Sequence, residues 1–107
     1  AAAALAGPLL YSLLQAAQEE LQRAGFPKGE IPAAVQSLAA IALRHATYGR
    51  GWTLLTGPLV RNDWNTVGAH REVLQPEMRS MYDAITAFVL ARLSGPFSFE
   101  PHQREDG

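Results

Sequence analysis

Apolar side chains recur along the first quarter of the chain at helical spacing. Leu5, Leu9, Leu13, Ala16 and Glu20 mark one stripe, and Leu10, Leu14, Ala17 and Leu21 mark a second beside it. Residues three and four apart share a helix face, so the pattern predicts a helix over Ala2 to Ala24. Both stripes are apolar over the first half, and a helix greasy around more than half its circumference is covered on more than one side, by its own domain and by something else. Pro8 reads either as a kink or as the first turn of the true helix. Gly25 stands where a C-terminal cap belongs, directly after Gln22-Arg23-Ala24, whose cation suits the negative end of the helix dipole.

Phe26-Pro27-Lys28-Gly29 reads as a connector. A second helix is expected from about Glu30 to His45 or Tyr48, with Ile31, Val35, Leu38, Ala42 and His45 on one face and Ile41 beside them. Tyr48-Gly49-Arg50-Gly51 ends it. Asn62 or Asp63 caps a third helix, in which Val67, His70, Arg71 and Leu74 keep helical spacing. Gln75-Pro76-Glu77 opens a fourth, with Met78, Met81, Tyr82, Ile85, Phe88, Val89 and Leu93 as its apolar stripe. Gly95-Pro96 stops that helix, and residues 96–107 have no period and read as a loosely held tail. The pattern therefore predicts an all-α chain, a compact bundle of about four helices over residues 1–95, with no internal repeat and no strand pair.

A chain of 107 residues suffices for one domain with a single core. Nine basic and ten acidic side chains give a net charge of -1 without any block of like charge, so no nucleic-acid or anionic-membrane partner is expected. Cysteine is absent, which removes disulfides, thiolate metal sites and cysteine nucleophiles and makes the cytoplasm the expected compartment. The longest uncharged run, Ala1 to Gln18, contains Gly7, Pro8, Tyr11, Ser12 and Gln15 and falls short of the roughly 20 predominantly apolar residues of a membrane helix. It also lacks the positive flank and cleavage pattern of a secretory signal. The sequence opens without methionine, directly in an alanine-rich helical pattern, so a piece of a longer chain is expected.

Candidate chemistry concentrates in Leu55-Thr56-Gly57-Pro58-Leu59-Val60-Arg61-Asn62-Asp63-Trp64-Asn65-Thr66-Val67. Gly57 and Pro58 set an unusual backbone course, and Arg61 is a permanently charged fork suited to a carboxylate or phosphate. Arg61 reads alternatively as half of a surface salt bridge, and Asp63 as a helix cap ahead of any catalytic role. His45, His70 and His102 lack metal spacing. His45 reads as a hydrogen-bonded packing residue, whereas His70 lies one to two turns into the helix that the motif starts and is the histidine placed to reach a cleft. Ser12, Ser37 and Ser80 have no Gly-x-Ser-x-Gly elbow, and Gly49-Arg50-Gly51 is no dinucleotide fingerprint, because no strand precedes it. Trp52 and Trp64 flank the motif, as buried loop anchors or as the centre of an interface.

Ala6-Gly7-Pro8-Leu9-Leu10-Tyr11, Glu19 to Pro27 and Leu55 to His70, taken in order, resemble one family. The chain is similar from Ala1 to Leu93 to the helical C-terminal domain of a group of Rossmann-type NAD(P)-binding proteins, akin to the 6-phosphogluconate dehydrogenase C-terminal-like superfamily. The most specific part is the run carried by Thr56, Gly57, Pro58, Arg61 and Asp63, followed by Thr66, Val67 and His70. The resemblance implies an N-terminal Rossmann domain that holds NAD or NADP outside this chain, and a helical domain that builds a homodimer and one wall of the substrate cleft. On that reading these residues bind no cofactor and catalyse nothing alone. Thr56, Gly57, Pro58, Arg61 and Asp63 belong to the substrate side, with Arg61 anchoring a small anionic substrate and His70 as a catalytic proton donor. Where such relatives commonly present an asparagine toward the cofactor, this sequence places Pro8. Ala6 to Tyr11 also resembles pyrroline-5-carboxylate reductase, whose Pro-Gly-Gly-Thr-Thr segment is missing here. A freestanding helical interaction module, with Thr56-Gly57-Pro58 serving only as a turn, is the alternative from another class.

Overall fold

The expected first helix is two helices in the computed structural model, which describes residues 1–94. They are α1 (Ala2–Ala6) and α2 (Pro8–Arg23), parted at Gly7, whose φ of -115° and ψ of -99° lie far from helical values. Pro8 opens α2 and has no N–H to offer the Ala4 carbonyl, so the hydrogen-bond ladder is interrupted there. The Gly7 N–H still reaches the Ala3 carbonyl at 2.9 Å, and a Cβ at residue 7 would stand 2.9 Å from the same oxygen. Both readings of Pro8 are thus realised: a break, and the first turn of the longer helix.

α2 ends as its sequence predicts. The Phe26 N–H bonds the Leu21 carbonyl at 3.0 Å and the Gly25 N–H bonds the Gln22 carbonyl at 3.1 Å, while Gly25 takes φ of +88°. This paired closure satisfies carbonyls that the last turn would leave without partners, and it requires a left-handed residue that only glycine supplies cheaply. Arg23 pairs with Glu20 at 2.9 Å one turn earlier. A single 3-10 turn, Lys28–Glu30, leads into α3 (Ile31–Ala46), where Pro32 sits in the first turn and needs no N–H partner. Ile31 and Val35, one turn apart, are buried, yet Leu38 on the same stripe is 70% exposed, so cover stops after the first turns of α3.

Gly49 (φ +83°) and Gly51 (φ +57°) break the chain as expected and lead into a second 3-10 turn, Gly51–Leu54. Then come α4 (Trp64–Val73) and α5 (Pro76–Ser94). Leu74 is extended, and the Gln75 carbonyl accepts the Arg79 N–H at 2.8 Å as the first bond of α5. Val67 of α4 and Val89 of α5 are buried. The Phe88 ring has Trp52 at 6.0 Å between centroids and the Arg92 guanidinium 4.5 Å from its centroid. The α5 stripe is less covered than its pattern predicts, since Met81, Ile85 and Phe88 are exposed.

Every regular element among the described residues is helical, and no strand occurs there, so the all-α class stands. By its contacts the chain forms two compact units, Ala1–Leu43 and the residues from Arg44 onward. The expected stop at Gly95-Pro96 and the tail over 96–107 lie outside the described residues.

Two glycines of the α2–α3 connector separate conformational need from tolerance. Gly25→Ala is expected to lower stability by about 1 kcal/mol, because alanine is strained in the left-handed region. Gly29→Ala, where an added Cβ meets nothing within 4 Å, should leave stability nearly unchanged. Urea denaturation followed by far-UV circular dichroism measures both.

Candidate functional site

The motif builds one closed turn and hands it directly to a helix. Pro58–Arg61 forms a hydrogen-bonded turn, which Asn62 terminates in the left-handed region at φ of +58°. Its closure repeats that of α2: the Asn62 N–H bonds the Leu59 carbonyl at 3.3 Å and the Asp63 N–H bonds the Pro58 carbonyl at 2.8 Å. Asparagine tolerates this conformation better than most side chains. Gly57, at φ of +106°, brings the chain into the turn. Thr56 is exposed, and Gly57 and Pro58 are half-buried.

Asp63 is the N-cap of α4. Its Oδ1 accepts the Thr66 N–H at 3.2 Å and its Oδ2 accepts the Thr66 hydroxyl at 2.6 Å, so one residue engages both carboxylate oxygens. The Arg61 Nη2 stands 3.7 Å from Oδ2. The Thr66 hydroxyl, then the Thr66 N–H, and more weakly the Arg61 charge hold the Asp63 carboxyl below its ordinary pKa, against a smaller opposing push from partial burial. The Arg61 side chain is 61% exposed, and a single long contact leaves most of its fork turned to solvent.

His70 lies seven residues beyond Asp63 on the same side of α4, about 10 Å along the axis, with Thr66 one turn before it. Its Nδ1 is 3.0 Å from the Tyr82 hydroxyl on α5, and the two rings meet edge to face at 5.9 Å and 89°. In the tautomer that accepts the phenol proton at Nδ1, Nε2 is left as the ring's donor. Burial, then the Asp83 charge, pushes the Tyr82 phenol up, and Arg71 partly opposes this. Beside the pair, Arg71 grips Asp83 through Nε–Oδ1 at 2.8 Å and Nη2–Oδ2 at 3.0 Å. That bidentate bond holds the Asp83 carboxyl below its usual range and raises Arg71. Arg79 donates to the Arg71 and Leu74 carbonyls at 2.7 and 2.9 Å, satisfying the C-terminal end of α4.

The residues singled out in the sequence thus fall into two sets along one helix. Arg61, Asp63 and Thr66 form the first; His70 forms the second with Tyr82, a residue the periodicity assigns only to an apolar stripe. The first offers a cationic fork and the second an imidazole beside a phenol, and no direct contact between the two sets occurs among the described residues. His45 is half-buried, Trp52 packs on Phe88, and Trp64 is exposed.

No cluster of His, Asp and Glu side chains able to hold a metal ion occurs among the described residues, and His102 lies outside them. Gly49 and Gly51 follow the helix α3 and lead into a 3-10 turn, unlike a Rossmann pyrophosphate cradle, which joins a strand to a helix N-terminus. No described helix is long and apolar enough to cross a membrane.

A family model described as a domain of unknown function (DUF2520) matches residues 1–88, which takes in the entire motif from Thr56 to His70. No curated protein and no solved structure matches the chain.

Asp63→Ala should lower the melting temperature by a few degrees, because α4 loses its cap, while Asp63→Asn should retain most of it and Arg61→Ala should shift it by about a degree or less. Calorimetric melts of the three variants compare the roles directly.

The depressed carboxyls of Asp63 and Asp83 also fix an acid limit. As pH falls the unfolded chain takes up these protons first, near its ordinary value of about 3.9. Stability from the two groups is therefore complete above about pH 5 and is lost as pH drops below about 4 through the folded values. A melting series over this range should show a flat upper limb and a falling lower one, and Asp63→Asn with Asp83→Asn should flatten the fall.

Proposed function

Since this chain belongs to the DUF2520 family, we propose that it is the helical, dimer-forming and substrate-side domain, over residues 1–95, of an NAD(P)-dependent oxidoreductase. The observation that carries this reading is the polar surroundings of α4: the exposed Arg61 fork stands in the turn just before the Asp63 cap, and His70, seven residues beyond that cap, meets Tyr82 of α5. Arg61 is the anchor for a small anionic substrate, a carboxylate or phosphate. His70 is the proton donor, held by Tyr82. Thr56, Gly57 and Pro58 shape the wall beside Arg61. NAD or NADP belongs to a preceding dinucleotide-binding domain, and no residue of this chain is assigned to it. The cytoplasm is the proposed compartment, consistent with the absence of cysteine.

A second support is the amount of apolar surface left uncovered. Leu5, Leu9, Tyr11, Leu38 and Ile41 are all exposed, which suits a domain that works against further protein surface. A freestanding interaction module draws on the same fact, but it gives the Arg61 and His70 placement no role.

The upstream reading frame separates the two. A strand followed by Gly-x-Gly-x-x-Gly and a helix is expected there, and the intact protein should bind NADH or NADPH in calorimetric titration while residues 1–107 alone do not. An initiator codon directly before Ala1, or submillimolar binding by the 107-residue chain itself, would overturn the oxidoreductase reading. In the intact protein, Arg61→Ala should weaken binding of malonate as a probe dianion by about tenfold or more, and lysine should replace the fork poorly.

A further inference from the structure

The uncovered apolar surface is unevenly distributed. Leu5 of α1 and Leu9, Leu10, Tyr11 and Leu13 of α2 are all exposed, Leu9 at 52% and Tyr11 at 67%. At 3.6 residues per turn, Leu9 to Tyr11 alone spans about 200° of the α2 circumference, more than one neighbouring helix covers. Apart from the exposed Tyr11 phenol, the polar side chains of the same stretch bond within their own helix. The Ser12 hydroxyl donates to the Pro8 carbonyl at 2.8 Å, and the Gln18 amide donates to Gln15 at 3.1 Å and to the Leu14 carbonyl at 3.4 Å. Covering this surface therefore strips few water-bonded groups.

We infer that α1 and the first half of α2 form the interface between two copies of this chain. The inference rests on the dimer-forming part of the function proposed above and names its surface. Two facts select a second copy as the occupant. A twofold interface sets each patch against itself, so any charge near the axis meets its own like, and the run from Ala1 to Gln18 carries no charged side chain at all. The five large side chains are between 37% and 67% exposed and stand beside exposed alanines, a contiguous apolar run of the kind that one partner of a standard interface, about 800 Å², is built on. The rival patch on α3 is smaller: Leu38 and Ile41 share a face, but exposed Leu43 points elsewhere.

Size exclusion coupled to light scattering on the 107-residue chain at about 50 μM tests this, with twice the 11.6 kDa chain mass expected. Leu9→Arg and Tyr11→Arg replace side chains already exposed within one chain, and both should give the single-chain mass with far-UV circular dichroism unchanged. Leu38→Arg should stay dimeric. Because the chain has no cysteine, Leu9→Cys gives an independent readout that does not depend on the arginine variants folding. Copper-catalysed oxidation should cross-link it into a dimer and leave Leu38→Cys uncross-linked. Dimeric arginine variants of α2, with Leu38→Arg monomeric or Leu38→Cys cross-linking instead, would overturn the surface named here and leave dimerisation standing. A wild-type chain that runs as a monomer would overturn both.

Discussion

The carboxylate of Asp63 sets the phase of α4, and the polar chemistry of the chain depends on that phase. Both of its oxygens are engaged by Thr66, one by the backbone and one by the hydroxyl, so the helix can begin only at Trp64. A slip of one residue would rotate every later side chain by about 100°, carrying Val67 out of its buried position and His70 away from Tyr82. Asn62 makes this start possible by accepting the left-handed conformation that ends the preceding turn. Termination of one turn and initiation of the next helix are thus packed into two adjacent residues.

What α4 presents is then held against α5 by side chains more than by a large core. Ion pairs as exposed as Arg71–Asp83 contribute little stability singly. Their bidentate geometry is directional, however, and Arg79 adds two bonds to carbonyls at the end of α4. The corner is therefore specified by hydrogen-bond direction. Such an arrangement suits a surface that must keep an imidazole and a phenol in register while remaining open to solvent.

How much of this was legible in the sequence divides by range. Gly25, Asp63 and Pro76 act within about four residues, and each stands where its local chemistry predicts. The interruption at Gly7 follows from the Gly-Pro pair alone, although the full separation into α1 and α2 depends on the close approach of the Ala3 carbonyl. Tyr82 was hidden because the periodicity of α5 counts it as apolar, and its role requires the angle at which α5 leaves extended Leu74. Arg71 and Asp83, twelve residues apart, match no helical period and were invisible for the same reason. The apolar pattern also overstated the core, since it shows which side chains need cover without showing what supplies it. Leu38 and Phe88 are exposed on stripes read as buried.

The bonds that close the α4–α5 corner join residues five, eight and twelve apart. Loops this short cost little entropy to close, and elements linked by them assemble on the timescale of single helices and hairpins, on the order of microseconds. The segment bearing Arg61, His70 and Tyr82 is in that sense kinetically self-contained: its polar geometry is written into local chain and can be in place early during folding, without waiting for any remote part of the sequence to arrive.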